Sequence, residues 1–514
     1  MQAESGPTIS LTRFITNPEV KFLKEKPLLV LAAGFLFLFH LFSLSISPLP
    51  WFDETYFASM AMHFSETGEF MAPIGPLIDY YYPQSKAYGP GYFLVLSGII
   101  RTFGLGITQI RFPGLAFGFL FVFVVFKILQ QQKVSFRLSV AAAVLLVFDV
   151  IFVQSIHSAR MDSMALFFAG SGIFFELRAL KTKRLYDFVY CGIAFGLALL
   201  TTPRIAVCLI GPCLVLLGYF IKDLSPKSFL QGFIVLMSVA LLYSIWVFWG
   251  FGGYSEAWQY FFGKPREVIA AQNLADSYIG GNLFLPVFQK PSIALAIILA
   301  LAGLLNAKIR RHPLFLICLI NIPAFYLLVA DTGIYSILNM PFVYLLMALS
   351  LKEISLPGKL NPLWVLIPVF LINFGIFCVK NLIVWTFANQ RNAETVLTEV
   401  KKRIPKGSRV IGDDCFFYVI VQSGSDFQYL ERGSHTPMRR EYHLNQFKFN
   451  YIIVQDPPQS AKEFGLYAKF IPMRPVGYIT MKPNSAFGNF LESILKRFSF
   501  KIPPGYKGTI YKRL

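Results

Sequence analysis

Charge is what this sequence has least of: Asp, Glu, Lys and Arg make up 15% of its 514 residues, against about 25% in soluble globular domains. That shortage excludes a soluble globular enzyme, and the 55% of hydrophobic residues excludes a disordered chain. Cysteine is sparse as well. Its six copies, Cys191, Cys208, Cys213, Cys318, Cys378 and Cys415, contain no C-x-x-C pair, and all but the last lie in apolar stretches, so neither a zinc site nor a disulfide framework is indicated. The sequence contains no internal repeat and no low-complexity tract. What it does contain is apolar and aromatic residues, with a mean hydropathy of +0.56, and it reads as a polytopic membrane protein.

A membrane span needs about 20 mostly apolar residues. Candidates fall at 28–46, 111–129, 138–156, 163–177, 188–201, 203–221, 229–249, 291–307, 313–330, 336–351 and 362–382, eleven in all. The first follows a 26-residue polar arm and ends in Ser-Pro-Leu-Pro-Trp, not in a small-residue cleavage site, so it is expected to remain as an anchor. Lys and Arg outnumber Asp and Glu by 47 to 28, which could suggest nucleic acid, but loop charges that set orientation explain it more simply. One alternate set of connectors, starting at Lys127, Glu176, Lys222, Lys308 and Lys352, holds 14 Lys and Arg, and the N-terminal arm holds four more. The positive-inside rule therefore places the 47–110 loop outside, and an odd number of spans sends residues 385–514 to the same side.

That division gives a membrane domain over 1–384 and a small outer α/β domain over 385–514. The tail shows β-type runs at Arg409–Ile411, Phe416–Val421 and Tyr451–Val454, broken by turn residues. Its 20 basic and 10 acidic residues suit a solvated domain facing anionic headgroups, or one that holds an anionic lipid or glycan.

The outer loop is where chemistry is expected. Asp53 and Glu54 lie a few residues beyond the first span, at the height of a lipid-linked phosphate. Tyr56, Phe57, Met60, Ala61 and Phe64 recur at helical spacing, which predicts a helix lying in the interface with one face in lipid; a second such helix is expected over 91–103. The two acids could cap the first of these helices or serve catalysis. Arg111, His157-Ser158-Ala159-Arg160-Met161-Asp162 and Thr201-Thr202-Pro203-Arg204 add polar groups at the same membrane face. Each alone could be an interface anchor, but together they supply cations for a phosphate and carboxylates for proton transfer. Asp149, inside the third span, could extend this polar site but reads better as a structural acid paired within the bundle.

The run Asp53-Glu54-Thr55-Tyr56-x-Ala58, continuing to Glu66-Thr67-Gly68-Glu69-Phe70 and Pro73, resembles the signature of the C-type (GT-C) membrane glycosyltransferases. The branch it resembles is that of protein O-mannosyltransferases and lipid A aminoarabinose transferases. Lys86 with Pro90 and Tyr92, Arg111-Phe112-Pro113-Gly114, and Ala159-Arg160-Met161-Asp162 are similar to further elements of that family in the same order. Thr201-Thr202-Pro203-Arg204 stands where the family usually carries a lysine.

The resemblance implies a polytopic α-helical GT-C fold with interfacial helices. It also implies a polyprenyl-phosphate sugar donor and a lipid, glycan or protein acceptor, on the outer face of what is expected to be a bacterial inner membrane. Asp53 would be the general base of an inverting transfer, and Glu54 would orient the acceptor or the base. Lys86, Arg160 and Arg204, and more weakly Arg111, would bind the donor phosphate, while Asp162 and Tyr56 would position the acceptor or a metal, Asp162 alternatively positioning Arg160. No cofactor is required; a divalent ion could sit on Asp53 and Asp162, though nothing in their spacing demands it. The competing readings are a transporter or flippase of lipid-linked envelope components, whose charges should lie at mid-membrane in broken helices, and a noncatalytic scaffold.

Overall fold

A computed structural model describes residues 27–74, 88–258, 291–329, 335–354, 361–430, 446–456, 464–465, 468, 471–480, 486–497 and 505–514. The long apolar runs satisfy their backbone groups internally, as hydrocarbon requires, and a helix lies on each of the eleven expected segments. These are α1 (Pro27–Ser43), α4 (Ile107–Gln131), the pair α5 (Phe136–Val147) and α6 (Val150–Ile156), α7 (Asp162–Thr182), α8 (Leu185–Thr201), α9 (Ala206–Lys222), α10 (Pro226–Trp246), α11 (Pro291–Leu305), α12 (Pro313–Leu328), α13 (Met340–Glu353) and α14 (Pro362–Thr386). By length and composition, five helices among the described residues can cross a membrane, or six if the bent α5–α6 pair is one span.

The bend in that pair is 65°, and Asp149 sits at it. Its Oδ1 accepts from the backbone N–H groups of Ile151 (2.9 Å) and Phe152 (3.1 Å), capping α6, while Oδ2 accepts from the Tyr344 hydroxyl at 2.9 Å. The acid is thus a helix cap within the bundle.

Two helices leave the apolar bundle: α2 (Phe52–Thr67) and α3 (Pro90–Phe103). The expectation that α2 lies with one face in lipid is overturned. All eight residues from Glu54 to Ala61 are buried, and Tyr56, Phe57, Met60 and Ala61 share one hydrophobic cluster with Tyr92 and Phe93 of α3. The same cluster takes in Phe416–Ile420 and Tyr429 from the C-terminal region. The helical period of the apolar residues is real, but from Glu54 to Ala61 protein covers every face of the helix.

The C-terminal region builds a five-stranded sheet, β1 (Arg409–Gly412), β2 (Asp426–Tyr429), β3 (Tyr451–Gln455), β4 (Met473–Thr480) and β5 (Lys507–Arg513), in the order β2-β1-β3-β5-β4. β1 runs parallel to both β2 and β3, while β5 runs antiparallel to β3 and β4. The segment Phe416–Val421, expected to be a strand, is instead part of the crossover from β1 to β2, with a helix over Phe417–Gln422. Parallel neighbours need a crossover, usually helical. Its β-branched and aromatic residues face the sheet on one side and α2 on the other, so burial explains a composition that looks like a strand.

Candidate active site

α2 begins after the extended residue Trp51, which places Asp53 and Glu54 in its first turn, where the helix dipole favours acids. Successive side chains on a helix diverge by about 100°, and the two carboxylates part accordingly. Glu54 turns inward. Arg111 of α4 donates to it bidentately, Nε to Oε1 at 2.7 Å and Nη2 to Oε2 at 2.8 Å, and its Nη1 donates to the Leu44 carbonyl at 2.6 Å. Both side chains are fully buried. Burial pushes the Glu54 carboxyl up from its ordinary value, and the Arg111 guanidinium opposes that rise. With no exposed atom on either side chain the pair offers no surface to a ligand, so the acceptor-orienting role expected of Glu54 and the phosphate-binding role expected of Arg111 do not fit this geometry.

Asp53 turns the other way, to Arg160. The Arg160 Nη1 donates to Asp53 Oδ2, and its Nε donates to Asp162 Oδ2 at 2.7 Å. Burial works against the Arg160 charge, but the carboxylates of Asp162 and Asp53 outweigh it and hold the guanidinium's pKa above its usual range. Of the three side chains, Asp53 alone is accessible, at 27% against 2% for Arg160 and 1% for Asp162.

Around this trio runs a ladder of alternating rings and cations. The Arg160 guanidinium lies between Trp51 (5.4 Å from the ring centroid) and Tyr335 (5.1 Å); Arg204 lies between Tyr335 (4.7 Å) and Tyr88 (5.1 Å). Arg204 also donates to both tyrosine hydroxyls. Such stacking offsets the repulsion between two like charges. Arg160 is neutralised by its two carboxylates, whereas exposed Arg204 has no carboxylate within ion-pair distance among the described residues. Of the two stacked arginines it is the one left without a carboxylate among the described residues.

The structure thus brings together Asp53, Arg160, Asp162 and Arg204, and sets Glu54 and Arg111 behind them. Tyr56 is buried beside Phe52 and Phe57, in the packing under the site. Lys86 lies outside the described residues. The space between Asp53 and Asp162 is filled by the Arg160 guanidinium, so this pair does not fit the divalent ion considered for it. No group of three His, Cys, Asp or Glu stands together among the described residues. Sequence reasoning missed Trp51 and Tyr88, whose only signal was adjacency to Asp53 and Lys86, and gave no role to Tyr335.

Residues 86–249, about a third of the chain, match the dolichyl-phosphate-mannose-protein mannosyltransferase family. ArnT from Cupriavidus metallidurans in the apo state is similar in structure, with a TM-score of 0.55 and 13% identity, covering 90% of this chain and 97% of that one. ArnT bound to undecaprenyl phosphate gives 0.55 and 12%, covering 95% and 98%. The chain has the GT-C fold. The Archaeoglobus fulgidus oligosaccharyltransferase, in complex with Zn and sulfate, is also similar, with a TM-score of 0.50 and 13% identity over 82% of this chain and 67% of that one. Curated protein sequences give no match. In this GT-C chain the family match runs from α3 through α10 and carries Arg160, Asp162 and Arg204, while Asp53, Trp51 and Tyr335 enter the site from outside it.

Proposed function

We propose that this protein transfers a sugar from a polyprenyl-phosphate carrier to a hydroxyl or amine of a lipid, glycan or protein at the outer face of a bacterial inner membrane, with inversion and with Asp53 as general base. The observation that carries the reading is the accessible carboxylate of Asp53, fixed through one oxygen by Arg160, next to a stacked arginine with no carboxylate partner among the described residues. The acceptor O–H or N–H gives its proton to Asp53 as the acceptor atom attacks the anomeric carbon. The bond from that carbon to the phosphate oxygen breaks on the opposite face, and the phosphate leaves with the electron pair. Arg204 faces the charge that grows on the leaving group, where a preorganised cation lowers the barrier most. Arg160, already balanced by two carboxylates, holds the base in place. The fold and the family match support a lipid-linked donor, and the distribution of loop charges supports the outer orientation.

The test is Asp53→Asn in the purified protein with a synthetic polyprenyl-phosphate sugar and labelled acceptor extracts. Transfer should fall by at least about 10³-fold, in line with the loss of a positioned base, while donor binding and thermal unfolding stay near wild type. Normal transfer by the variant would remove Asp53 from the mechanism.

A further inference from the structure

A hollow of about 460 Å³ opens beside the site without containing Asp53, Arg160 or Arg204. It lies where the loop Ser47–Trp51, α6, the outer end of α14 and the C-terminal region meet. Val150, Val153, Phe377 and Val384 make much of its wall apolar, and Lys380 and Arg391 give it two cations, with Asp414 the one carboxylate. His157 also borders it, but both its ring nitrogens are engaged, one with His40 at 2.7 Å and one with the Ser47 carbonyl at 3.3 Å.

Lys380 sits on a flank of α14 where Ile376, Val379 and Leu382 are all exposed, the surface a helix presents to acyl chains. It has no carboxylate within ion-pair distance among the described residues, and it lies less than two turns from the helix end, at headgroup depth. Arg391 is 4% exposed and donates from Nη1 to the Ile46 carbonyl at 3.4 Å, and burial brings its pKa down to about 10. An apolar wall continuous with a lipid-facing helix, closed by two cations, complements one kind of molecule: an anion with a hydrocarbon body.

We propose that this hollow is a binding site for the phosphate-bearing headgroup of an anionic membrane lipid, with Lys380 and Arg391 as its cations and the acyl chains lying along α14. The site is separate from the donor cation Arg204. Trp51 divides the two, forming the wall of the hollow with part of its surface and lying over Arg160 with its ring.

Native mass spectrometry of the full chain in detergent tests this with phosphatidylglycerol, phosphatidylcholine, a polyprenyl phosphate and inorganic phosphate as probes. Wild-type protein should retain phosphatidylglycerol over phosphatidylcholine. Lys380→Gln should weaken that retention about tenfold, as loss of a charge-assisted contact does, and leave polyprenyl phosphate binding unchanged. Val384→Trp, which fills the hollow without altering charge, should do the same. Asp53→Asn should bind phosphatidylglycerol like wild type, so this result stands apart from the transferase reading. The proposal fails if the two phospholipids are retained equally or if both hollow variants bind phosphatidylglycerol normally. It also fails if the variants lose polyprenyl phosphate in parallel, which would make the hollow part of the donor site, or if inorganic phosphate alone displaces the lipid.

Discussion

At the scale of single residues, the Asp53-Glu54 dipeptide shows how one turn of helix divides two like groups between different tasks. Glu54 and Arg111 form a bidentate pair with no exposure, and a buried pair of this kind is costly to break from one side, because the partner's charge is left without compensation. Glu54→Gln should therefore lower stability by about 3–5 kcal/mol, read as a lower thermal unfolding temperature in detergent. The double replacement Glu54→Leu with Arg111→Met should recover most of that loss. If the single variant unfolds like wild type, the pair is not structural. The sequence made both carboxylates visible, a short way beyond the first apolar helix. It did not reveal their divergence, which depends on where α2 starts: the helix begins at Phe52, three residues earlier than a start at Thr55, with Trp51 as its extended cap. The aromatic partners of Arg160 and Arg204 were harder to read, because ladder contacts join residues 51, 88, 160, 204 and 335, which no local period links.

At the scale of elements, α2 is held from three sides, and the positions of those neighbours fix Asp53. Ser97 of α3 donates to the Ala61 carbonyl at 2.8 Å. From the sheet, the Tyr429 hydroxyl donates to the Phe52 carbonyl at 3.0 Å and meets the Thr55 hydroxyl at 2.5 Å, and from the crossover helix Phe417–Gln422 the Tyr418 hydroxyl donates to Glu54 at 3.5 Å. Tyr429 is thus a positioning residue for the turn that carries Asp53. Tyr429→Phe keeps the ring and loses both bonds, so transfer should slow several-fold in kcat while donor KM stays within about twofold, since each neutral bond is worth about 1 kcal/mol. A change confined to KM, or none at all, would argue against this coupling. α3 is placed by a close approach: a Cβ on Gly89 would stand 1.9 Å from the Leu200 carbonyl oxygen, a backbone atom that no side-chain motion can clear. Gly89→Ala should destabilise the protein by about 1–3 kcal/mol and, by displacing neighbouring Tyr88 from Arg204, weaken donor binding. Unchanged unfolding and donor affinity would contradict that packing.

At the scale of the whole molecule, the charged connectors gather at two ends of the helical bundle. Lys352 donates to the Gln132 carbonyl at 2.9 Å and pairs with Glu353 at 2.7 Å, while Lys308 meets Glu353 at 2.6 Å, so the connectors beginning at Lys127, Lys308 and Lys352 converge at one end. At the other end, α2 meets the C-terminal sheet through Tyr429, and Arg160 pairs with Asp53 of α2. Three of the five basic connectors read from the sequence thus share one end of the bundle. The positive-inside rule sets the expectation for which end faces the cytosol, and thiol labelling decides it. Lys308 and Lys402 have side chains 77% and 62% exposed, and their surface ion pairs contribute little, about 0–1 kcal/mol, so a cysteine at either position should be tolerated. In intact cells, a membrane-impermeant maleimide should label Lys402→Cys and leave Lys308→Cys unlabelled until the membrane is opened. The reverse pattern would put Asp53 on the cytosolic side, away from an outer-face acceptor, and labelling of both in intact cells would break the alternation of spans itself.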